Sequence, residues 1–369
     1  MIRTSLSRSL IGAICIAWAA ESPGQEPNKP AVKKPTAKKL AEPTPVWTDA
    51  NDPELPIDYK FQGEYGSEPL GAQVIALGNG QFQAVVLEGG LPGAGWNGAD
   101  KSLMQGSVQD DRVQFEPAIG ARTYLAQAPE QFSATKEFPP HGQRKLTGSI
   151  DANGYMTINT ATGEKWTMAR VTRASPTLGA KPPQGAIVLF DGSNTDEWIG
   201  GRLDTKTGWL NTDGKDIKSQ RKFNNYTIHL EFMLPFRPDA RGQARGNSGF
   251  YQVHHYEVQV LDSFGLEGLN NECGGIYTKA APKVNMCFPP LTWQTYDIDF
   301  TNAVVEDGQK VKNARITARH NGIVIHDNLE IDGPTGGSRK EPEGTPGPLL
   351  LQGHGNPLQY RNVWIVERN

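Results

Sequence analysis

The chain has 369 residues, enough for two ordinary domains, and a formal net charge of −3. Apolar residues make up 37%, and 41 glycines with 27 prolines favour a turn-rich β fold over a helical bundle. No basic field marks nucleic acid as a partner.

Residues 1–25 read as an export signal. MIRTSLSR supplies positive charge, LIGAICIAWAA is an apolar core too short to span a bilayer, and small residues follow. The expected location is outside the cytoplasm, periplasmic or extracellular, with no transmembrane segment. Ile14 is bulky where a lipid-attachment motif ending at Cys15 wants a small residue. Residues 26–46 are Pro, Lys and Ala without apolar period, an extended tether.

Residues 47–172 predict a small β-rich domain. Short runs such as AQVIAL, FQAVVL, GYMTINTA and KWTMARV are separated by Gly and Asp turns, and GNGQ between the first two is a hairpin signal. GGLPGAGW, 89–96, precedes no helical pattern, so a β-corner is expected rather than a phosphate cradle. Residues 173–184 have linker composition.

From 185 to 369 the strand pattern resumes with about eight to ten strands. Turns are expected at Asp191-Gly192, Asp307-Gly308 and Asn321-Gly322. No long helical period interrupts them, which excludes parallel βαβ units. The predicted fold class is all-β, a jelly-roll sandwich preceded by the smaller β-rich domain. Cys273 and Cys287 are fourteen apart and, in an oxidising compartment, can close a disulfide worth roughly 3 kcal/mol; two buried free thiols are the alternative.

The run HYEVQVLD, 255–262, alternates. Tyr256, Val258 and Val260 point one way; His255, Glu257, Gln259 and Leu261 point the other. Asp262 rejoins the Glu257 face only through a bulge; otherwise it opens the DSFG turn. With the bulge, the two acids can flank a sugar. Without it, Glu257 is a solvated acid or stands alone. RGNSGFY contributes Arg245, Asn247 and Tyr251. ECGGIYTKAAP contributes Glu272, Tyr277 and Lys279, and GHGNPLQYRN contributes His354, Asn356 and Arg361. Each has a structural account as well: Asn247 and Asn356 as turn caps, Arg361 in a surface pair, His354 simply exposed.

VLFDGSNTDEW, GNSGFY, YEVQVLD, GGIY, PPLTWQTYDIDF and GPLLLQGHGNPLQYRNVWI occur in order from 187 to 365. This series resembles the 3-keto-disaccharide hydrolase domain family, whose fold is related to laminarinase-type glucanases. The resemblance implies a concanavalin A-like jelly roll and sugar-derived substrates. The related glucanases carry an E-x-D-x-E or E-x-D-x-x-E strand; here that frame reads Glu257, Gln259, Asp262, which argues against double-displacement chemistry. The keto-sugar route needs one base for the hydrogen at C2, support for an enolate oxygen and an acid for the leaving group. Glu257 or His354 is the expected base, Arg245 or Arg361 with Asn247 the enolate support, and Asp262 orients His354 or joins Glu257 around a hard divalent cation such as calcium. Gln259, Tyr251, Tyr277, Lys279, Asn356 and Trp209 complete the expected sugar contacts, whereas Trp293 reads as core. The substrate expected is an oligosaccharide or keto-sugar. The competing readings are a lectin-like module that holds glycans without cleaving them, and a structural scaffold.

Overall fold

In the computed structural model, which describes residues 45–368, local alternation builds a closed barrel first. The export signal and most of the tether lie outside the described residues. Strands β1 (Gly63–Ser67), β2 (Leu70–Gly78), β3 (Gln81–Glu88), β4 (Lys101–Gln109), β5 (Arg112–Pro117), β6 (Leu146–Ile150), β7 (Tyr155–Thr160) and β8 (Lys165–Val171) follow one another. They pair in the order β1-β8-β7-β6-β5-β4-β3-β2, and β1 closes on β2. Asn79 and Gly80 join β2 to β3 with φ of 54° and 67°, the left-handed pair that a tight hairpin needs.

The apolar runs in β2 and β3 are continuous because both faces are covered. Val74, Ala76, Ala84 and Val86 fill the barrel. Ile75, Leu77, Val85, Leu87 and Leu103 point outward into the core of the second half. Barrel and sandwich therefore share one apolar layer.

The second half is a two-sheet sandwich of β9 (Ile187–Phe190), β10 (Trp198–Ile199), β11 (Arg202–Asp204), β12 (Trp209–Asn211), β13 (Ile217–Ser219), β14 (Asn225–Met233), β15 (Ser248–Gln252), β16 (Tyr256–Val260), β17 (Trp293–Thr301), β18 (Ala314–His320), β19 (Ile323–Ile331), β20 (Leu350–Leu351) and β21 (Gln359–Arg368). The larger sheet runs β11-β12-β21-β14-β17-β18-β19, with β9 also on β21; the smaller runs β10-β13-β20-β15-β16. Ile228, Leu230, Phe232, Tyr296 and Ile298 of one sheet face Ile217, Phe250, Tyr256, Val258 and Leu351 of the other. Asn321-Gly322 turns β18 into β19, and Asp307-Gly308 closes a small outlying hairpin. Asp191-Gly192 is a bend instead, because β9 pairs with distant β21; the Asp191 carboxylate accepts the Ser193 N–H at 2.9 Å. Among the described residues, no helix is long and apolar enough to cross a membrane.

Residues 173–184, of linker composition, lie as a strap across the outward face of the larger sheet. Thr177 donates to Asp297 at 2.6 Å, Gly179 N–H to Glu231 at 2.6 Å, and Asn362 and Trp364 both donate to the Ala180 carbonyl. The expected disulfide is corrected: Cys273 and Cys287 are free, buried thiols rather than a bridge. Cys273 Sγ lies 3.3 Å from the Tyr296 hydroxyl and Cys287 Sγ 3.5 Å from the Leu261 carbonyl. The loop between them needs no covalent tie. The Asn285 amide donates to Ser263 and Leu266, and Glu272 accepts the Gly268 and Leu269 N–H groups.

Beneath the strap, His229 is fully buried between Asp297 at 2.7 Å and Glu231 at 3.4 Å. Burial pushes the imidazole pKa down, but the two carboxylates more than reverse it, so it is raised from 6.5. Burial pushes Glu231 up, yet hydrogen bonds from His229, Asn362, Arg361 and the Gly179 N–H bring it to about 2. The raised imidazole contributes stability fully below 6.5 and loses it as pH rises through its folded value; the depressed glutamate contributes above 4.5 and loses it as pH falls toward 2. Breaking a buried ion network costs about 3–5 kcal/mol. Glu231→Ala should therefore destabilise by that amount in urea unfolding near pH 5.5, and by less at both extremes of pH. An equal effect at all pH values would contradict the charged network.

Candidate functional site on the smaller sheet

Strand β16 sends Tyr256, Val258 and Val260 into the sandwich and Glu257 and Gln259 out of it. Its register with β15 is unbroken: Tyr251 stands opposite Glu257, and Gly249 opposite Gln259. The outward face therefore carries Asn247, Gly249 and Tyr251 from β15 and its approach, and Glu257 and Gln259 from β16. Beyond Leu350, which pairs with both Tyr251 and Lys218, lie Lys218 and Asp216.

Glu257 is 3% exposed. Its Oε2 accepts the Tyr251 hydroxyl at 2.9 Å, and its backbone N–H donates to Thr335 Oγ1 at 3.0 Å. Tyr251 also reaches the Gly336 carbonyl at 2.7 Å, and the Gln352 amide donates to the Tyr251 oxygen at 3.3 Å. No cation pairs with Glu257 among the described residues. Burial pushes its pKa from 4.5 to about 7, against the lowering hydrogen bond from Tyr251. When Glu257 is protonated, its O–H can donate to Tyr251, whose own proton then serves Gly336. Gln352 Oε1 is buried without a partner. It stands 3.0 Å from where a Gly249 Cβ would be, and Glu257 Oε1 stands 2.1 Å from that point. Gly249 is thus the vacancy that admits the carboxylate beside the amide.

His254 completes the group. It sits at φ 55° in the β15–β16 hairpin, next to Val253 at φ 44°, a conformation rare for a β-branched residue. Its ring meets Tyr251 edge-on at 5.8 Å. Burial, then the Lys218 charge, lowers its pKa below 6.5, so the imidazole is neutral at pH 7. Segment 333–337 covers the group through Gly336 and Thr335, and a Cβ on Gly336 would stand 3.9 Å from the Tyr277 ring.

Of the residues expected from sequence, Glu257, Tyr251, Gln259, Asn247 and Tyr277 are gathered around this face. Gln259 and Asn247 both donate to Gln243 Oε1, at 3.0 and 3.1 Å, and Asn247 Oδ1 is buried without a partner. Lys279 lies at the margin of the cover, paired to Asp332 at 2.6 Å. The others are corrected. Asp262 follows the strand with no bulge, so alternation turns it away from Glu257, and it binds Arg245 at 2.6 Å instead. Arg245 spends its remaining donors on the Ala76 and Pro238 carbonyls and Gln62, so neither residue is free for substrate or for a shared cation. Arg361 and Trp209 lie on the outward face of the other sheet. Arg361 holds Glu231 at 2.7 Å and covers Trp293 at 4.1 Å, and Trp209 packs edge-on against Trp293 at 5.2 Å. Trp293, read as core, is only half-buried there. Asn356 is buried and bonds the His354 carbonyl and Arg237, as a turn cap does. His354 is exposed, and its ring bonds no described residue. Among the described residues, no three His, Cys, Asp or Glu side chains converge as a cation site.

Sequence reasoning missed His254, Gln352 and Lys218. His254 lies just before β16, and only its place in a tight hairpin distinguishes it from His255. Lys218 comes from a three-residue strand with no motif around it.

This sandwich, with amides, a tyrosine and one desolvated acid on an outward sheet face, is a domain of the carbohydrate-active class, and its family gives the kind. Residues 185–366 match the family model of the 3-keto-alpha-glucoside-1,2-lyase-like domain, and the chain belongs to that family through this half. A crystal structure of a provisionally named glycosyl hydrolase from Parabacteroides distasonis is 32% identical, covering 50% of this chain and 85% of its own, with a TM-score of 0.47. A second such protein from the same organism is 19% identical, covering 50% of this chain and 95% of its own, with a TM-score of 0.37. No curated protein matches the chain.

A buried acid with a raised pKa stabilises the fold less as pH climbs from 4.5 through about 7, because the folded state holds the proton longer than the unfolded one. The cost of ionising it is on the order of 3 kcal/mol. Glu257→Gln should raise the thermal midpoint at pH 8 and change it little at pH 5. A loss of stability at pH 8 would show that the carboxylate has an uncounted favourable partner.

Proposed function

We propose that the chain hydrolyses 3-keto-glycosides by elimination and hydration, with Glu257 as the base. The observation that supports this most directly is a glutamate buried on an outward sheet face with no cation beside it, its pKa near the working pH. The ketone at C3 acidifies the C2 hydrogen. Glu257 takes that proton, and the electron pair of the C2–H bond forms the enolate. The enolate collapses to restore the C3 carbonyl and form a C1–C2 double bond, breaking the bond from C1 to the leaving oxygen. That oxygen takes the proton from Glu257. Water then adds, hydroxyl to C1 and hydrogen to C2, so the net change is hydrolysis.

The enolate oxygen needs a hydrogen-bond donor in a dry site. The Tyr251 hydroxyl and the Gln352 amide, already beside Glu257, fill that role, and Lys218 adds a positive field. Neutral His254, at the edge of Tyr251, is placed to exchange a proton with water in the hydration step. A double-displacement route lacks its second acid, since Asp262 is held by Arg245. Substrate reaches Glu257 by replacing the Gly336 carbonyl on Tyr251, so segment 333–337, with glycines at 333, 336 and 337, swings aside. The N-terminal segment supports export as the setting for this activity.

The test is release of aglycone from a 3-keto-glucoside in D2O. Turnover with deuterium incorporated at C2 of the product is expected. Glu257→Gln should lower the rate about 10²–10⁴-fold. Activity should rise with pH through about 7, because the base must be ionised. Tyr251→Phe removes the bond that lowers this pKa and should move that limb to higher pH. Saturable binding without turnover would make the chain a lectin-like module, and turnover without deuterium at C2 would exclude elimination.

A further inference from the structure

A large cavity lies away from Glu257. It occupies about 810 Å³ at the junction of barrel and sandwich, between the loop after β3 and β4 on one side and segments 265–269 and 282–285 on the other. That volume is in the range of small-molecule sites. Its barrel wall is rigid: Leu91 and Ala94 exchange backbone hydrogen bonds, and Gly89, Gly90 and Gly95 leave no room for a Cβ there. This ledge holds Trp96, whose indole N–H donates to the Asp100 carbonyl at 3.1 Å.

Lys101 lines the same cavity. Its side chain is only 10% exposed, yet its ammonium donates no hydrogen bond to the described residues. It lies over the Trp96 ring at 5.2 Å, faces Glu267 across the junction at 3.6 Å, and its charge also acts on buried Glu272. The ammonium opens on the cavity with donors that no described residue fills, so a ligand able to accept from it is favoured over one that is not. The walls beside it are apolar, from Val85, Leu87 and Leu266. An apolar ligand would leave Lys101 unfilled, and an anion would meet Glu267. A hydroxyl accepts from the ammonium and donates to the carboxylate, while the C–H faces of a sugar ring suit Trp96 and the aliphatic wall.

We propose that this junction cavity is a second, non-catalytic binding site for a neutral oligosaccharide, seated between Lys101 and Glu267. It goes beyond the assignment of Glu257 and does not depend on it. Cellotetraose, maltotetraose and laminaritetraose are titrated separately by calorimetry into the full-length protein. At least one should bind. Lys101→Met and Glu267→Gln should each weaken that binding 10-fold or more, while Glu257→Gln keeps it and neither junction variant slows release of aglycone from a small 3-keto-glucoside. Glu267 is 34% exposed, so its substitution tests the site even if Lys101→Met folds poorly. The proposal is overturned if none of the three sugars binds, if Glu267→Gln binds as tightly as the parent, or if binding vanishes with Glu257→Gln.

Discussion

Arg245 and Asp262 meet at 2.6 Å in a place that solvent scarcely reaches, and much of the rest follows from that pair. Asp262 comes two residues after β16, and its backbone N–H is held by the Arg245 carbonyl. The guanidinium also grips the Ala76 carbonyl of the barrel, between Ile75 and Leu77, which enter the shared core. One ion pair thus fixes how the barrel seats on the sandwich and where β16 ends. A slip of one residue in β16 would exchange its two faces. Tyr256, Val258 and Val260 would turn to the surface, and Glu257 would enter the core.

Three buried acids in this chain show how differently one functional group can be accommodated. Asp262 has an arginine. Glu231 has an arginine, an imidazole, an amide and a backbone N–H, and stays ionised far into acid. Glu257 has a tyrosine hydroxyl and no positive charge, and burial pushes it toward neutrality at pH 7. The first two are expensive charges compensated to hold parts together. The third is left uncompensated, which suits a group that must gain and lose a proton. Comparing what surrounds each acid separates structure from chemistry better than their spacing along the chain.

Much of the fold was legible because it rests on period and turn chemistry. The alternation of 255–261, the Asn-Gly hairpins and the uninterrupted apolar runs of β2 and β3 each follow from local rules. That Glu257 and Tyr251 share a face was legible because they lie on and just before one recognisable strand, whereas Tyr277 comes from a separate glycine-rich loop. Arg361 and Trp209 were misplaced because their faces depend on which sheet their strands join, a long-range fact. That the linker lies down as a strap was not legible, because its hydrogen bonds come from Thr177 and from backbone groups at Gly179 and Ala180, which composition does not register. Asp262 turned on a bulge that no local signal announces.

The double-sided strands of the barrel constrain how such a chain can be rearranged. A copy of the barrel parted from the sandwich would display Ile75, Leu77, Val85, Leu87 and Leu103 as a greasy stripe. Polar replacements at several of these positions, made together, would be needed before it could circulate alone. Shuffling that swaps one half without the other meets that obstacle at its first step.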